Sequence, residues 1–395
     1  MISFDECLER VCATARPLET ETVAIGVAAG RVLAAPVIAR IPSPRCDVSA
    51  MDGYAVREAD LTSLPAQVRV VGESFAGSGW DGSIGELQCV RIFTGAPVPE
   101  GADRVVIQEI VRRDGDTAII EAHSGKARHI RGRGGDFEQG DELLGVGRLL
   151  DKRAIVAAAA ADIAEVEVFK RPRVSILSTG DELAEPGSAS ARPDAIPESV
   201  SLGLAAMVAE WGGIVVNRQR LRDDLSVMEK AAAQEIGSAD LVLVTGGASV
   251  GEKDFAKIMF EPAGLELIFS KVSIKPGKPV WLGRAGGTLV MGLPGNPTSA
   301  LVTARLLLAP LLAGLSGREP LQALSWRSAR LTAPLKECGP RETFHRARWS
   351  GNEVEIFAFQ DSSAQKVLAD ADLLVRQRAN SPDIRAGEEV KVLDF

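Results

Sequence analysis

Residues 290–302 read VMGLPGNPTSALV. An apolar, strand-like run stops at Pro294-Gly295-Asn296-Pro297, and a helical pattern resumes at Thr298. Asn296 suits the N-cap of that helix. Pro297 suits its first position, where the missing N–H has no intrahelical partner to lose. The free N–H groups of the first turn, those of Thr298 and Ser299 among them, then face outward with the positive end of the helix dipole, a ready anion site. A strand that ends in such a corner and feeds a helix is the repeating unit of an α/β sheet.

The unit recurs upstream. Val174–Leu177 is a short apolar strand ending at Thr179-Gly180, followed by a helix over 199–211 that Gly212-Gly213 closes. Ile214–Asn217 is a strand, 225–236 a helix, and Leu241–Val244 a strand ending at Thr245-Gly246-Gly247. Asp254 is placed to cap a helix through Phe260. Leu265–Phe269 and Leu289–Met291 are further strands, and the helix over 298–309 should stop at Pro310. This alternation predicts an open, mostly parallel α/β sheet.

In such sheets, ligands bind outside the carboxyl ends of the strands. Three ends share a chemistry: STGDEL (178–183), TGGASVGEKDF (245–255) and the 294–297 corner. Their small residues bring backbone N–H groups close to a ligand and set hydroxyls or carboxylates beside them. SIKPGKPV (273–280) adds Lys275 and Lys278. Asp181, Glu182 and Asp254 suit a hard cation that bridges phosphates. Taken singly, each loop is an ordinary α/β connection; together they favour a phosphate or other anion.

Before this region, Ser3 and Glu6 form a capping-box pattern ahead of apolar Cys7, Leu8, Val11 and Cys12. Residues 21–150 are mostly short β-like segments, such as Val68–Val71, Val90–Phe93, Val105–Ile110 and Thr117–Glu121. Asp151 is placed to cap an Ala-rich helix through about Ile163. After about residue 320, SARLTAPL, TFHRARW, EVEIFAF and EEVKVLDF alternate like strands of a small β domain.

The 395 residues suit two to four domains, with 46% hydrophobic and 25% charged residues, as in globular proteins. A net charge of −8 gives no global footprint for nucleic acid. Five scattered cysteines without a C-x-x-C pair argue for reduced thiols and a cytoplasmic location. The three histidines do not cluster, which argues against a His-rich zinc site. The N-terminal MISFDECLERV lacks the pattern of a signal peptide, and no membrane span is read.

CDVSAMDGYAV (46–56) says little by residue chemistry, yet SAMDGYAV closely resembles the signature of the MoeA-type molybdopterin molybdenumtransferases, relatives of the gephyrin E domain. RIFTGAPVPEGAD (91–103), STGDEL, GGASVGEKDF, KPGKP and LPGNPTSA match that family in the same order, across nearly the whole chain. The resemblance implies four domains: a discontinuous helical linking region (1–45 and 140–170), an inserted β domain (46–139), a molybdopterin-binding α/β domain (171–318) and a C-terminal β barrel (319–395). It implies an elongated homodimer whose site joins the α/β domain of one subunit to the β domain of the other. The implied reaction takes adenylylated molybdopterin and molybdate, uses Mg2+, releases AMP and leaves molybdenum on the dithiolene. Molybdopterin adenylyltransferase and cofactor-receiving apo-enzymes are the implied partners, without nucleic acid or membrane.

By the same resemblance, Asp52 and Thr94 reach across the dimer. Glu182 and Asp254 serve the cation or the pyrophosphate, and Asp223 or Asp224 lines the same cleft, Asp224 being the expected catalytic member. Thr179, Gly180, Gly246, Gly247, Ser249, Lys275, Lys278, Asn296 and Ser299 form the pocket for molybdate and phosphate, and Pro294 and Pro297 shape its corner.

Two stretches depart from the family. AIPESV (195–200) stands where I-Y-D-[ST]-N is usual, with Pro197 for Tyr, Glu198 for Asp and Val200 for Asn. Val48 stands for the usual Asn of D-N-S-A-M-D. Each loses an amide that both donates and accepts hydrogen bonds. HIRGRGGDFEQGD (129–141) is also more Gly-rich than its counterpart, though it keeps Arg131 and Asp136. These departures leave two other readings open: a paralogue that holds molybdopterin or finished cofactor without turnover, and a scaffold.

Overall fold

The computed structural model describes residues 1–123, 125–246 and 255–395. Strands β1 (Arg173–Thr179), β2 (Ile214–Leu221), β3 (Leu241–Thr245), β4 (Glu266–Ser270), β5 (Trp281–Ala285) and β6 (Thr288–Leu293) form one sheet in the order β2-β1-β3-β6-β5-β4. β2, β1, β3 and β6 run parallel, and the β6–β5 and β5–β4 pairs are antiparallel. The central strands β1 and β3 are buried along almost their whole length, as parallel strands covered on both faces must be. β5 escapes the sequence pattern because Gly283 and Arg284 interrupt its apolar run. It is held by the Trp281 indole, which lies over Gly292 of β6; a Cβ there would meet the indole nitrogen at 1.9 Å.

Helices cover the two faces. On one face, α1 (Phe4–Thr14), α3 (Val200–Glu210) and the long helix α5 (Pro297–Leu315) pack on Val174, Ile176, Leu241 and Leu243. On the other, α4 (Leu225–Glu235) packs Met228, Ala231 and Ala232 on Leu177, Val242 and Val244. Ser3 Oγ accepts the Glu6 N–H at 3.1 Å, as the capping pattern predicts. Glu6 itself pairs with Arg10 at 2.7 Å.

The expected stop at Pro310 does not occur. The helix continues to Leu315 through a π turn at Ala304–Leu308. A π turn displaces the i→i−4 ladder just where proline has no N–H to give, so the axis passes the residue without a break. This helix is apolar and long enough to cross a bilayer, but it is almost wholly buried inside the fold. The helix expected from Asp254 to Phe260 is described only as Phe255–Ile258, and Asp254 lies outside the described residues.

Three smaller units surround the sheet. Asp151 caps α2 (Lys152–Ala160) by accepting the Arg153 and Ala154 N–H groups at 3.0 and 2.9 Å, and the helix packs on Leu33, Leu150 and Val168. Thr20–Ala24 pairs with Glu165–Phe169 beside it. Residues 53–120 contribute a separate six-stranded sheet. Strands 327–331, 342–350, 353–356, 373–377 and 389–394 pair around a closed ring, the C-terminal barrel. Ile274–Lys275 adds to that barrel in parallel with Glu342–Thr343, tying it to the α/β domain.

Candidate functional site

From β1 the chain crosses to β2 on one side and then returns to β3 on the other. The carboxyl ends of β1 and β3 therefore flank the topological switch point. A cavity of about 780 Å³ opens there. Its floor is Thr179, Gly180, Thr245 and Gly246, and the Pro294–Pro297 corner closes one side.

Glycine brings the three strand ends together. Gly246 has φ +87°, and a Cβ on it would lie 2.4 Å from the Thr179 carbonyl oxygen. A Cβ on Gly295 would lie 3.3 Å from the Gly246 Cα. Gly180, at φ +147°, lies under the Glu182 carboxylate, whose nearer oxygen would be 2.6 Å from a Cβ. At Gly180 and Gly246 the positive φ disfavours any L side chain, and at Gly246 the backbone contact leaves no room for one.

At the corner, Asn296 has the extended backbone of an N-cap, but its side chain makes no capping bond. Its amide instead donates to Ser362 Oγ at 3.1 Å, across to the barrel domain. Thr298 and Ser299 are buried in the first turn. Behind them, Arg346 Nη1 donates to Thr298 Oγ1 at 3.4 Å. Arg346 is 1% exposed, and burial pulls its pKa below the usual arginine value. In the sequence, Arg346 is one of several polar residues in an alternating strand. Its inward register was the available signal, but only barrel closure reveals the cation behind the corner. Ser363 and Gln365, also from the barrel domain, line the cavity and carry no sequence signal that marks them out.

The carboxylates sort themselves. Glu182 and Asp223 line the cavity. Asp224 Oδ1 accepts the Val227 N–H at 3.2 Å and caps α4. The Asp223 N–H donates to Asp181 Oδ1 at 3.3 Å, which holds the two carboxylate-bearing loops together. Among the described residues there is no group of three or more Asp, Glu, His or Cys side chains placed to hold a metal ion. Two hard oxygen donors on this cavity, without thiol or imidazole, fit Mg2+, which takes one or two carboxylates and completes its shell with water and phosphate oxygens.

Lys275 and Lys278 are exposed and do not line the cavity, whereas Pro279 beside Lys278 does. Gly277 packs this loop onto α5, where a Cβ would meet the Thr303 methyl at 2.1 Å. Gly247, Ser249 and Asp254 lie outside the described residues.

Asp52 and Thr94 form a unit in the other sheet. Asp52 Oδ1 accepts from the Thr94 N–H at 2.7 Å and from Thr94 Oγ1 at 2.8 Å. These bonds, the backbone one first, with nearby Arg91, hold the Asp52 carboxyl below its ordinary pKa. Arg91 donates to the Gly53 carbonyl at 2.8 Å and lies over the rings of Tyr54 and Phe93. Neither Asp52 nor Thr94 lines the cavity of its own chain.

The departures are also structured. Val48 pairs with Arg131 and Pro97 in the β domain. Ile196, Pro197 and Val200 present an apolar wall to the cavity, and the Glu198 carboxylate turns inward to Ser178 and Ser201.

Three family models match the chain in order. They are the MoeA N-terminal region (domains I and II) over 2–161, a probable molybdopterin binding domain over 175–314 and the MoeA C-terminal region (domain IV) over 328–395. A molybdopterin molybdenumtransferase of Haemophilus influenzae is 36% identical over 385 residues, covering 96% of this chain and 95% of that protein. The chain belongs to the MoeA family of molybdopterin molybdenumtransferases. Molybdopterin molybdenumtransferase 2 of Mycobacterium tuberculosis is 33% identical and covers 100% of both chains. The crystal structure of the molybdopterin biosynthesis moeA protein from Pyrococcus horikoshii OT3 superposes with a TM-score of 0.86 at 25% identity over all of both chains. A second structure of a molybdopterin biosynthesis moeA protein from Pyrococcus reaches 0.83 at 29% identity. The four-part architecture expected from the sequence is that of MoeA structures.

Proposed function

We propose that this chain inserts molybdate into adenylylated molybdopterin, releasing AMP and giving molybdenum-molybdopterin, a late step of molybdenum cofactor biosynthesis. The observation that carries the reading is the convergence of three strand ends on one cavity at the switch point, in a chain of this family.

The chemistry follows from the charges involved. Breaking a phosphoanhydride calls for positioning and charge neutralisation more than for a protein nucleophile. Glu182 and Asp223 would hold Mg2+, with Asp254 a further candidate ligand. Such an ion would supply charge neutralisation to the phosphate oxygens. The backbone donors at Gly246 and the first turn of α5 suit the phosphates, and Arg346 adds positive potential behind that turn. Lys275 and Lys278 stand outside the cavity on the loop that reaches it at Pro279, and they are the proposed donors to molybdate at its rim. The apolar wall at Ile196, Pro197 and Val200 suits the flat face of a pterin.

We further propose a homodimer in which Asp52 and Thr94 of one subunit complete the cleft of the other. Their ion-dipole pair is preorganised, and it lies away from the cavity of its own chain. Free cysteines at all five positions suit a reducing compartment such as the cytoplasm. An adenylyltransferase upstream and molybdenum apo-enzymes downstream are the matching partners.

The test is AMP release. Purified protein given adenylylated molybdopterin, molybdate and magnesium should liberate AMP together with active cofactor. No AMP under conditions where a control enzyme works would remove this reading. Tight pterin binding without AMP would favour the carrier instead.

A further inference from the structure

The cavity wall at 196–200 hangs on one buried carboxylate. Glu198 is 6% exposed. Its Oε1 accepts the Ser201 N–H at 2.8 Å and the Ser178 hydroxyl at 3.3 Å, and its Oε2 accepts the Ser201 hydroxyl. Arg218 Nη1 lies 4.0 Å from Oε2 and donates to Ser201 Oγ at 3.2 Å. Thr245 Oγ1 in turn donates to Ser178 Oγ at 3.1 Å. One side chain thus gathers donors from β1, the start of α3 and, through Ser178, the end of β3.

That network reaches the reacting groups through the backbone. The Glu198 N–H donates to the Ala184 carbonyl at 2.8 Å, and the Ile196 N–H donates to the Glu182 carbonyl at 2.8 Å. The segment anchored by Glu198 is therefore the partner of strand Leu183–Ala184, which directly follows Glu182. A carboxylate only accepts, so it orders every hydroxyl around it in one direction: Thr245 to Ser178 to Glu198.

We propose that Glu198 is a positioning residue for this site. By fixing the 196–200 wall and the Ser178–Thr245 floor, it sets the placement of Glu182 and of the pterin-phosphate end of the substrate. The proposal rests on the molybdenumtransferase reading of the cavity, and its test separates the two.

Molybdopterin affinity, AMP release and thermal midpoint are measured for the wild type, Glu198→Ala and Glu198→Gln. Val392→Ala, which trims a buried barrel residue, serves as the stability control. Glu198→Ala should weaken molybdopterin binding about tenfold, because the wall is released. Glu198→Gln keeps an Oε1 acceptor for Ser178 and the Ser201 N–H, so its affinity should stay within about threefold of the wild type. Val392→Ala should lower the midpoint and leave affinity unchanged. If the alanine variant does not fold, Glu198→Asp, one methylene short of Ser178, carries the same expectation.

Wild-type affinity in Glu198→Ala, or equal losses in the Ala and Gln variants, would overturn the proposal. So would a loss in Val392→Ala that matches its lowered midpoint. A wild type that binds molybdopterin but releases no AMP would sink the transferase reading, while the affinities would still decide the role of Glu198. A wild type that binds no molybdopterin overturns both.

Discussion

A Cβ at residue 246 would sit 2.4 Å from the Thr179 carbonyl oxygen, on a backbone at φ +87°. Gly246→Ala should therefore destabilise the protein by about 1–3 kcal/mol, read by urea denaturation, and abolish AMP release by parting the two strand ends. A wild-type midpoint would contradict the close approach. Glu182→Gln and Asp223→Asn test the carboxylates. Each should cut AMP release by about a hundredfold with little change in thermal midpoint, since both side chains border open space. Asp224→Ala should instead act on stability, because the Asp224 carboxylate caps α4. The sequence could name the Asp223-Asp224 pair but not divide the work. Which of two adjacent carboxylates turns to the helix is settled by where α4 begins in the fold, with Asp224 as its N-cap.

At the scale of elements, most helices and strands were legible because their ends carry chemistry. Asp151 before the Ala-rich run marks the start of α2, and the structure shows both capping bonds. The Ala154 bond first, and then the hydrogen-bonded Arg153 guanidinium, hold the Asp151 pKa down at about 2. A group held below its ordinary 3.8 contributes stability above that pH and loses it as pH falls toward the folded value. Asp151→Ala should thus lower the thermal midpoint at neutral pH, and the gap to the wild type should close as pH drops from 3.8 toward about 2. An undiminished gap at the acid end would refute the cap as its source. The end of α5 was illegible for the opposite reason. Proline stops a regular α ladder, but Ala304–Leu308 widens into a π turn that leaves no bond for Pro310 to break. That turn is a product of packing, since Leu306, Leu307 and Leu308 are all fully buried. Leu307→Ala should cost about 2–5 kcal/mol in chemical denaturation, with a value near zero excluding that packing.

For the whole molecule, the proposed dimer makes a prediction that a monomeric site cannot meet. If each cleft joins Asp52 of one subunit to Glu182 of the other, Asp52→Asn and Glu182→Gln damage the same composite site from opposite chains. A heterodimer of the two variants then holds one doubly damaged site and one intact site. Subunit exchange of two inactive variants should recover about a quarter of wild-type AMP release, because random pairing makes half the dimers mixed. Light scattering should report two chains per particle. No recovery after proven exchange would place Asp52 outside the partner's cleft.

The sequence by itself determined the alternation of strands and helices, the glycines at the strand ends and the helix-opening corner at 294–297. These are local: a cap, a positive φ or an apolar period is written in a few neighbouring residues. It also carried the ordered motifs by which the family is recognised. Only the tertiary structure decided what stands behind and beside the corner. Asn296 reaches Ser362 rather than its own helix, Arg346 backs Thr298 from inside the barrel, and Glu198 draws three elements onto one carboxylate. Those contacts join residues between 3 and 66 positions apart, and the directions of their side chains follow from sheet register and barrel closure, which no short stretch of sequence encodes.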